Sequence, residues 1–161
     1  MREFDNDCLI MCKIQGRIFE KSINQCDSSS YVFIKRYMNS YTAYSMDRES
    51  FLIGTISDDQ AIELVNEEYP NAYGKEKLSN EEMYWMGYIY RYWAYVYGFK
   101  SKEIVKICSP KQLHGLYYAY HSLDCDVAIK RIMEARNIDY SKDLFDKTKE
   151  IVFKELLQKT A

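Results

Sequence analysis

The segment from Ser79 to Gly98, SNEEMYWMGYIYRYWAYVYG, puts eight aromatic side chains on one helix and leaves only a narrow polar strip. A helix that apolar must be covered nearly all round, by its own domain or by a partner. Its ends are marked in the sequence: Ser79 with Glu82 three residues on forms the S-x-x-E capping box, and Gly98 closes it. Within it Met83, Met86, Ile89, Tyr90, Trp93, Val96 and Tyr97 recur at intervals of three and four and predict the core face. Tyr84, Tyr88, Arg91, Tyr92 and Tyr95 follow on the adjacent flank. There a tyrosine can bury its ring and keep its hydroxyl at a wet edge, and an arginine can lie over a ring; these residue types dominate interface hot spots. An ordinary core whose hydroxyls reach the surface has the same pattern.

The rest of the chain supplies the cover. Cys8 to Ile23 carries Cys8, Ile10, Met11, Ile14, Ile18 and Phe19 at helical spacing. Ser28 to Ser30 offer N-caps for a second helix with Tyr31, Phe33, Ile34, Tyr37 and Met38 on its apolar side, and a short helical turn follows from Tyr41 to Met46. Phe51 to Ile56, FLIGTI, is the one stretch that reads as extended. Ser57, with Asp58 and Asp59 behind it, starts a helix that Pro70 stops. Asn71 to Leu78 reads as a loop. Ser101 with Glu103 opens a short helix, Ser109-Pro110 starts another running to about His121, and Asp124 caps the next. A last amphipathic helix is expected from Ser141 to about Gln158, packed back on the bundle. With two prolines, six glycines and no repeat, the whole chain, residues 1–161, predicts one all-α domain: an orthogonal array of about seven to nine helices with an aromatic core.

Composition narrows the function classes. At 161 residues and 47% hydrophobic content the chain can bury one sizeable core unaided. Its net charge of −2 gives no global attraction to nucleic acid or anionic lipid. No apolar run approaches the roughly 20 residues needed to span a bilayer, and a cytoplasmic location is expected. Five cysteines, at 8, 12, 26, 108 and 125, are an odd number without recurrent spacing and fit reduced thiols. Cys8 and Cys12 share a helix face, but no second pair and no local histidine completes a metal set, so neither metal nor cofactor is expected. His114 and His121 lie two turns apart, too far for one metal, with no nucleophile or carboxylate placed by sequence to work with them. An enzyme would have to assemble its site from distant residues such as His114, His121 and Asp124.

Helices 101–108 and 110–122 have the outline of a helix-turn-helix, with Lys111, Gln112 and His114 at the head of the reading helix. Against DNA reading stands the remainder of that helix, Leu113, Leu116, Tyr117, Tyr118 and Tyr120, which lacks groups for base edges and phosphates. Lys35 and Arg36, with Tyr37 and Arg48, mark a docking point for an acidic partner or a plain solvated face.

Three segments, SYVFIKRYMNSYTAYSMD at 30–47, EMYWMGYIYRYWAY at 82–95 and SKEIVKICSPKQLHGLYYAYHSLDCDVAIKRIME at 101–134, resemble a family of small bacterial proteins described as antitoxin components. The resemblance covers about residues 28–136 and is aromatic and structural, with no active-site residue to carry over. It implies an intracellular protein that binds and neutralises a co-encoded toxin enzyme, of the ADP-ribosyltransferase type for instance. On this reading the chain is non-enzymatic and presents Tyr84, Tyr88, Arg91, Tyr92 and Tyr95, flanked by Lys35 and Arg36, to occlude the toxin's cleft.

Overall fold

Serine hydroxyls begin most of the helices. In the computed structural model, which describes residues 1–48, 56–69, 73–140 and 155–159, nine α-helices are assigned between residues 6 and 135. They are α1 (Asn6–Gln25), α2 (Ser30–Met38), α3 (Tyr41–Asp47), α4 (Asp58–Glu68), α5 (Asn80–Tyr97), α6 (Ser101–Ile107), α7 (Pro110–Gly115), α8 (Tyr117–Tyr120) and α9 (Cys125–Ala135). The hydroxyls of Ser29, Ser40, Ser57, Ser79 and Ser109 each accept from the backbone N–H three residues on. Ser57, Ser79 and Ser109 head full capping boxes, closed by Gln60, Glu82 and Gln112. Gly98 ends α5 at φ 71°, the left-handed conformation that favours glycine.

Several boundaries differ from expectation, each for a local reason. The first helix starts at Asn6, since the Asp5 carboxylate accepts from the Cys8 N–H at 2.9 Å and caps it two residues early. The short helix α6 does start at Ser101, whose N–H and hydroxyl both donate to Asp47 of α3, at 2.8 and 2.5 Å. Asp124 occupies the N-cap of α9 without a side-chain capping bond. The single helix expected from Pro110 to His121 breaks at Leu116, whose φ of −92° and ψ of −4° separate α7 from α8. The extended stretch expected over 51–56 lies outside the described residues except for Ile56, an isolated bridge. The final helix expected over 141–158 does too, apart from a helical turn at 155–159. No helix among the described residues is long and apolar enough to cross a membrane.

The aromatic helix α5 lies at the centre, with its longest packing against α1 and further contacts to α6, α7 and α9. Met83, Met86, Ile89, Tyr90 and Trp93 are wholly buried, as the spacing predicted, and Val96 and Tyr97 nearly so. Close approach of α1 depends on Gly87: a Cβ there would stand 2.5 Å from the Gln15 carbonyl oxygen and 2.9 Å from the Phe19 ring. The cysteines are free; Cys8 and Cys12 are buried with their sulfurs 3.9 Å apart, far beyond a disulfide bond. The loop at 73–79 is tied down along the α1–α2 connection, where the Lys77 ammonium donates to the carbonyls of Cys26 and Ser28, both at 2.6 Å.

Two outcomes are expected. Gly87→Ala should cost stability at the upper end of the about 1–3 kcal/mol typical of overpacking, because backbone and not a flexible side chain must yield. Gly115→Ala, whose Cβ meets nothing within 4 Å, should be neutral or stabilising by up to about 1 kcal/mol through helix propensity. Urea unfolding of both variants measures the contrast, and equal midpoints would contradict it.

Acid should loosen the fold through carboxylates at helix starts. The Cys8 N–H holds the Asp5 carboxyl below its ordinary value. Burial pushes Glu82 and Asp126 up, but hydrogen bonds from Ser79 and His114 to the one, and from Tyr97 and Lys130 to the other, leave both depressed. All three are therefore lower in the folded chain than in the unfolded chain, which takes up these protons first as pH falls. Their stabilisation is present above about pH 4.5 and is lost below about pH 4, as pH drops through the folded values. Urea midpoints at about pH 7, 5 and 3 should show no loss from these groups between the first two and a decrease at the third.

Candidate partner-binding surface

The flank of α5 divides into an inside and an outside. Arg91 is 1% exposed, a correction to its expected place on the surface. Its guanidinium donates from Nε to Gln15 Oε1 at 2.9 Å, from Nη1 to Asp47 Oδ1 at 2.7 Å and from Nη2 to Ser101 Oγ at 3.1 Å. Those acceptors come from α1, α3 and α6, which meet only in the folded chain. Tyr95 is also buried: its hydroxyl donates to Asp5 at 2.9 Å, and the Arg2 guanidinium lies 3.9 Å from its ring centroid. Burial, with the Asp5 carboxylate adding to it, pushes this phenol up to about 12. Neither residue can meet a partner without opening the core.

Tyr84, Tyr88 and Tyr92 stay half-buried in a row four residues apart, one turn above another. Tyr84 and Tyr88 have ring centroids 6.2 Å apart, and Phe4 stacks on Tyr92 at 5.1 Å and 23°. Their hydroxyls have no hydrogen-bond partner among the described residues. Burial pushes the Tyr92 phenol up to about 12 and Tyr88 higher, so both are neutral at physiological pH. At the foot of the row Tyr84 lies against Gly16 of α1, where a Cβ would stand 2.9 Å from the ring.

A second group of rings joins α5 to α8. Trp85, beside Tyr84, meets the edge of Tyr117 at 5.6 Å and 78°. Tyr117 in turn meets Tyr118 edge-on at 5.6 Å and stacks on His121 at 4.5 Å and 17°. No residue of α8 is buried, and Tyr118 is 85% exposed. Rings thus cluster in two places, Phe4 with Tyr92 and Tyr84 with Tyr88 along α5, and Trp85 with Tyr117, Tyr118 and His121 where α5 meets α8. Sequence reasoning missed Phe4, Trp85, Tyr117, Tyr118 and His121 as parts of this surface. The signal was present in YYAYH, but a continuous helix over 110–121 places those rings differently from one broken at Leu116.

The other expected contact residues are scattered. Lys35 is exposed. Arg36 is half-buried and donates to the Tyr69 carbonyl at 2.6 Å, so it is held within the fold. Arg48 lies over Tyr44, 5.3 Å from the ring centroid. Lys111 and Gln112 are exposed on α7, where Gln112 Oε1 accepts from the Ser109 N–H at 3.0 Å. His114 is bonded on both ring nitrogens, to Tyr31 of α2 and to Glu82 of α5. The helix expected to read DNA is thus six residues long, with two of its three named residues engaged internally. Among the described residues no group of three or more His, Cys, Asp or Glu side chains is placed to hold a metal ion.

No protein-family model, curated protein or solved structure matches this chain. The most direct test of the inside–outside division is Arg91. Arg91→Met should destabilise the fold by about 3–5 kcal/mol, since it leaves the Asp47 carboxylate, 10% exposed, without its cation. Arg91→Lys should recover only part, because one ammonium cannot reach acceptors on three helices. Urea unfolding measures both; a loss below about 1 kcal/mol in the Met variant would show that the site stays open to water.

Proposed function

We propose that this chain is a non-enzymatic binding protein of the antitoxin kind, cytoplasmic, whose partner is a toxin enzyme encoded beside it. The aromatic surface of α5 and α8 is the docking face, and the partner's active cleft is what it occludes. The observation that carries this reading is α8: a helix made of tyrosines in which no residue is buried. Tyr118 stands 85% exposed beside half-buried Tyr117, and Tyr and Trp are the side chains that most often anchor protein interfaces. Stacking among Trp85, Tyr117, Tyr118 and His121 also limits the rotamers to be frozen on binding, which lowers the entropic cost of association. The resemblance of residues 28–136 to antitoxin components supplies the class of partner.

The test is purification of the tagged chain from its native cells, beside a Tyr117→Ala/Tyr118→Ala variant. The expected result is a stoichiometric enzyme encoded next door, held by the wild type and bound at least about 30-fold more weakly by the variant, a loss of ~2 kcal/mol. The thermal midpoint of the variant should stay close to that of the wild type, since neither ring is buried. Equal affinity in the variant would remove α8 from the interface. Nucleic acid in the eluate without such a protein would overturn the reading in favour of a DNA-binding regulator.

A further inference from the structure

Three helices bring a phenol, an imidazole and a carboxylate into line. Tyr31 Oη on α2 lies 2.6 Å from His114 Nδ1 on α7, and His114 Nε2 is bonded to Glu82 Oε2 in the first turn of α5. Glu82 is itself fixed, since its other oxygen accepts from the Ser79 hydroxyl at 2.8 Å. With a carboxylate accepting at Nε2, that nitrogen carries the imidazole proton and Nδ1 presents its lone pair to the Tyr31 hydroxyl. Nucleophile, base and orienting acid thus follow in the order that activates a hydroxyl in acyl transfer. All three side chains are half-buried, held but reachable.

We propose that Tyr31 is a base-assisted nucleophile that accepts an acyl group from a neutral activated ester, with His114 as its base and Glu82 positioning the imidazole. The Tyr31 Oη–carbonyl carbon bond forms as the ester's C–O bond breaks. The phenol proton passes to His114 Nδ1 and on to the departing alkoxide or aryloxide. The products are an acyl-tyrosine and a free alcohol, with no oxidation or reduction. Burial, aided by the nearby Glu76 and Glu82 carboxylates, pushes the Tyr31 phenol up, so free phenolate is scarce and the proton must leave within the reacting step. Those same carboxylates disfavour an anionic phosphoryl donor. The Lys111 ammonium, 5.9 Å from the Tyr31 ring centroid, is placed to offset the single negative charge that develops on an ester carbonyl oxygen. This inference is independent of the docking surface.

The experiment treats the full chain with p-nitrophenyl acetate at neutral pH, follows p-nitrophenolate release and maps acetylated tyrosines by mass spectrometry at short times. Tyr73 and Tyr118, 82% and 85% exposed, are the internal standards, because accessibility alone would favour them over half-buried Tyr31. Tyr31 should be acylated at least about tenfold faster than either, the low side of general-base assistance. The fast release should disappear in Tyr31→Phe and His114→Gln while Tyr73 and Tyr118 react unchanged. Glu82→Gln, in which glutamine can still serve the capping box of α5, should reduce the Tyr31 rate at unaltered helix content. The proposal is overturned if release is the same in Tyr31→Phe as in wild type. It is overturned equally if Tyr31 reacts no faster than the two standards in the wild-type chain, a comparison that needs no variant to fold.

Discussion

The buried guanidinium of Arg91 sets the terms for everything packed around it. A cation taken out of water at the centre of a helical domain is tolerable only if it is paired and each of its nitrogens meets an acceptor. Gln15, Asp47 and Ser101 provide them from α1, α3 and α6, so a single side chain on α5 fixes the mutual register of four helices. The network also closes on itself. Gln15 donates to the Gly87 carbonyl at 2.9 Å, and Asp47 accepts the Ser101 N–H that α6 would otherwise leave unpaired at its start. Gly87 belongs to the same device, since only a residue without Cβ lets α1 approach closely enough for Gln15 to reach both partners. A hydrophobic contact would have tolerated sliding; this set of directed, charge-assisted bonds does not.

Against that fixed frame the tyrosines of α5 sort by what they can bond. Tyr90 donates to the Cys108 carbonyl at 2.7 Å, Tyr95 to Asp5 and Tyr97 to Asp126, and all three are buried. A phenol that finds an internal acceptor can be covered without cost to its hydroxyl. Tyr84, Tyr88 and Tyr92 find none among the described residues and remain half-buried, while Trp85 meets Tyr117 of α8. The same residue type on one helix therefore builds the core on one side and a half-buried ring surface on the other. Hydrogen-bond geometry decides between them more than hydrophobicity does.

The Tyr31–His114–Glu82 alignment illustrates how a site arises from parts with other duties. Glu82 is legible in the sequence as the capping residue of α5 and Tyr31 as a ring on the apolar side of α2, and both roles hold. His114, read there at the head of a DNA-reading helix, is instead bonded on both ring nitrogens, and the alignment appears only because α2, α5 and α7 converge. The residues are 32 and 83 positions apart along the chain, which no local pattern can connect.

The sequence by itself determined what is local. The Ser57, Ser79 and Ser109 caps, the Ser79–Glu82 capping box, the glycine that ends α5 and the core face of the aromatic helix all depend on residues within a few positions of one another, and they stand where the pattern placed them. It could not determine which side of a flank residue faces inward. Arg91, Tyr95 and Tyr88 occupy neighbouring angles on one helix, and their different fates follow from what Gln15, Asp47, Ser101 and Asp5 bring from elsewhere. Nor could it show that the helix begun at Pro110 would break at Leu116, leaving Tyr118 exposed and Tyr120 packed against the core. Tertiary structure decided these points because burial of a polar group is settled by the acceptors that reach it, and those come from distant parts of the chain.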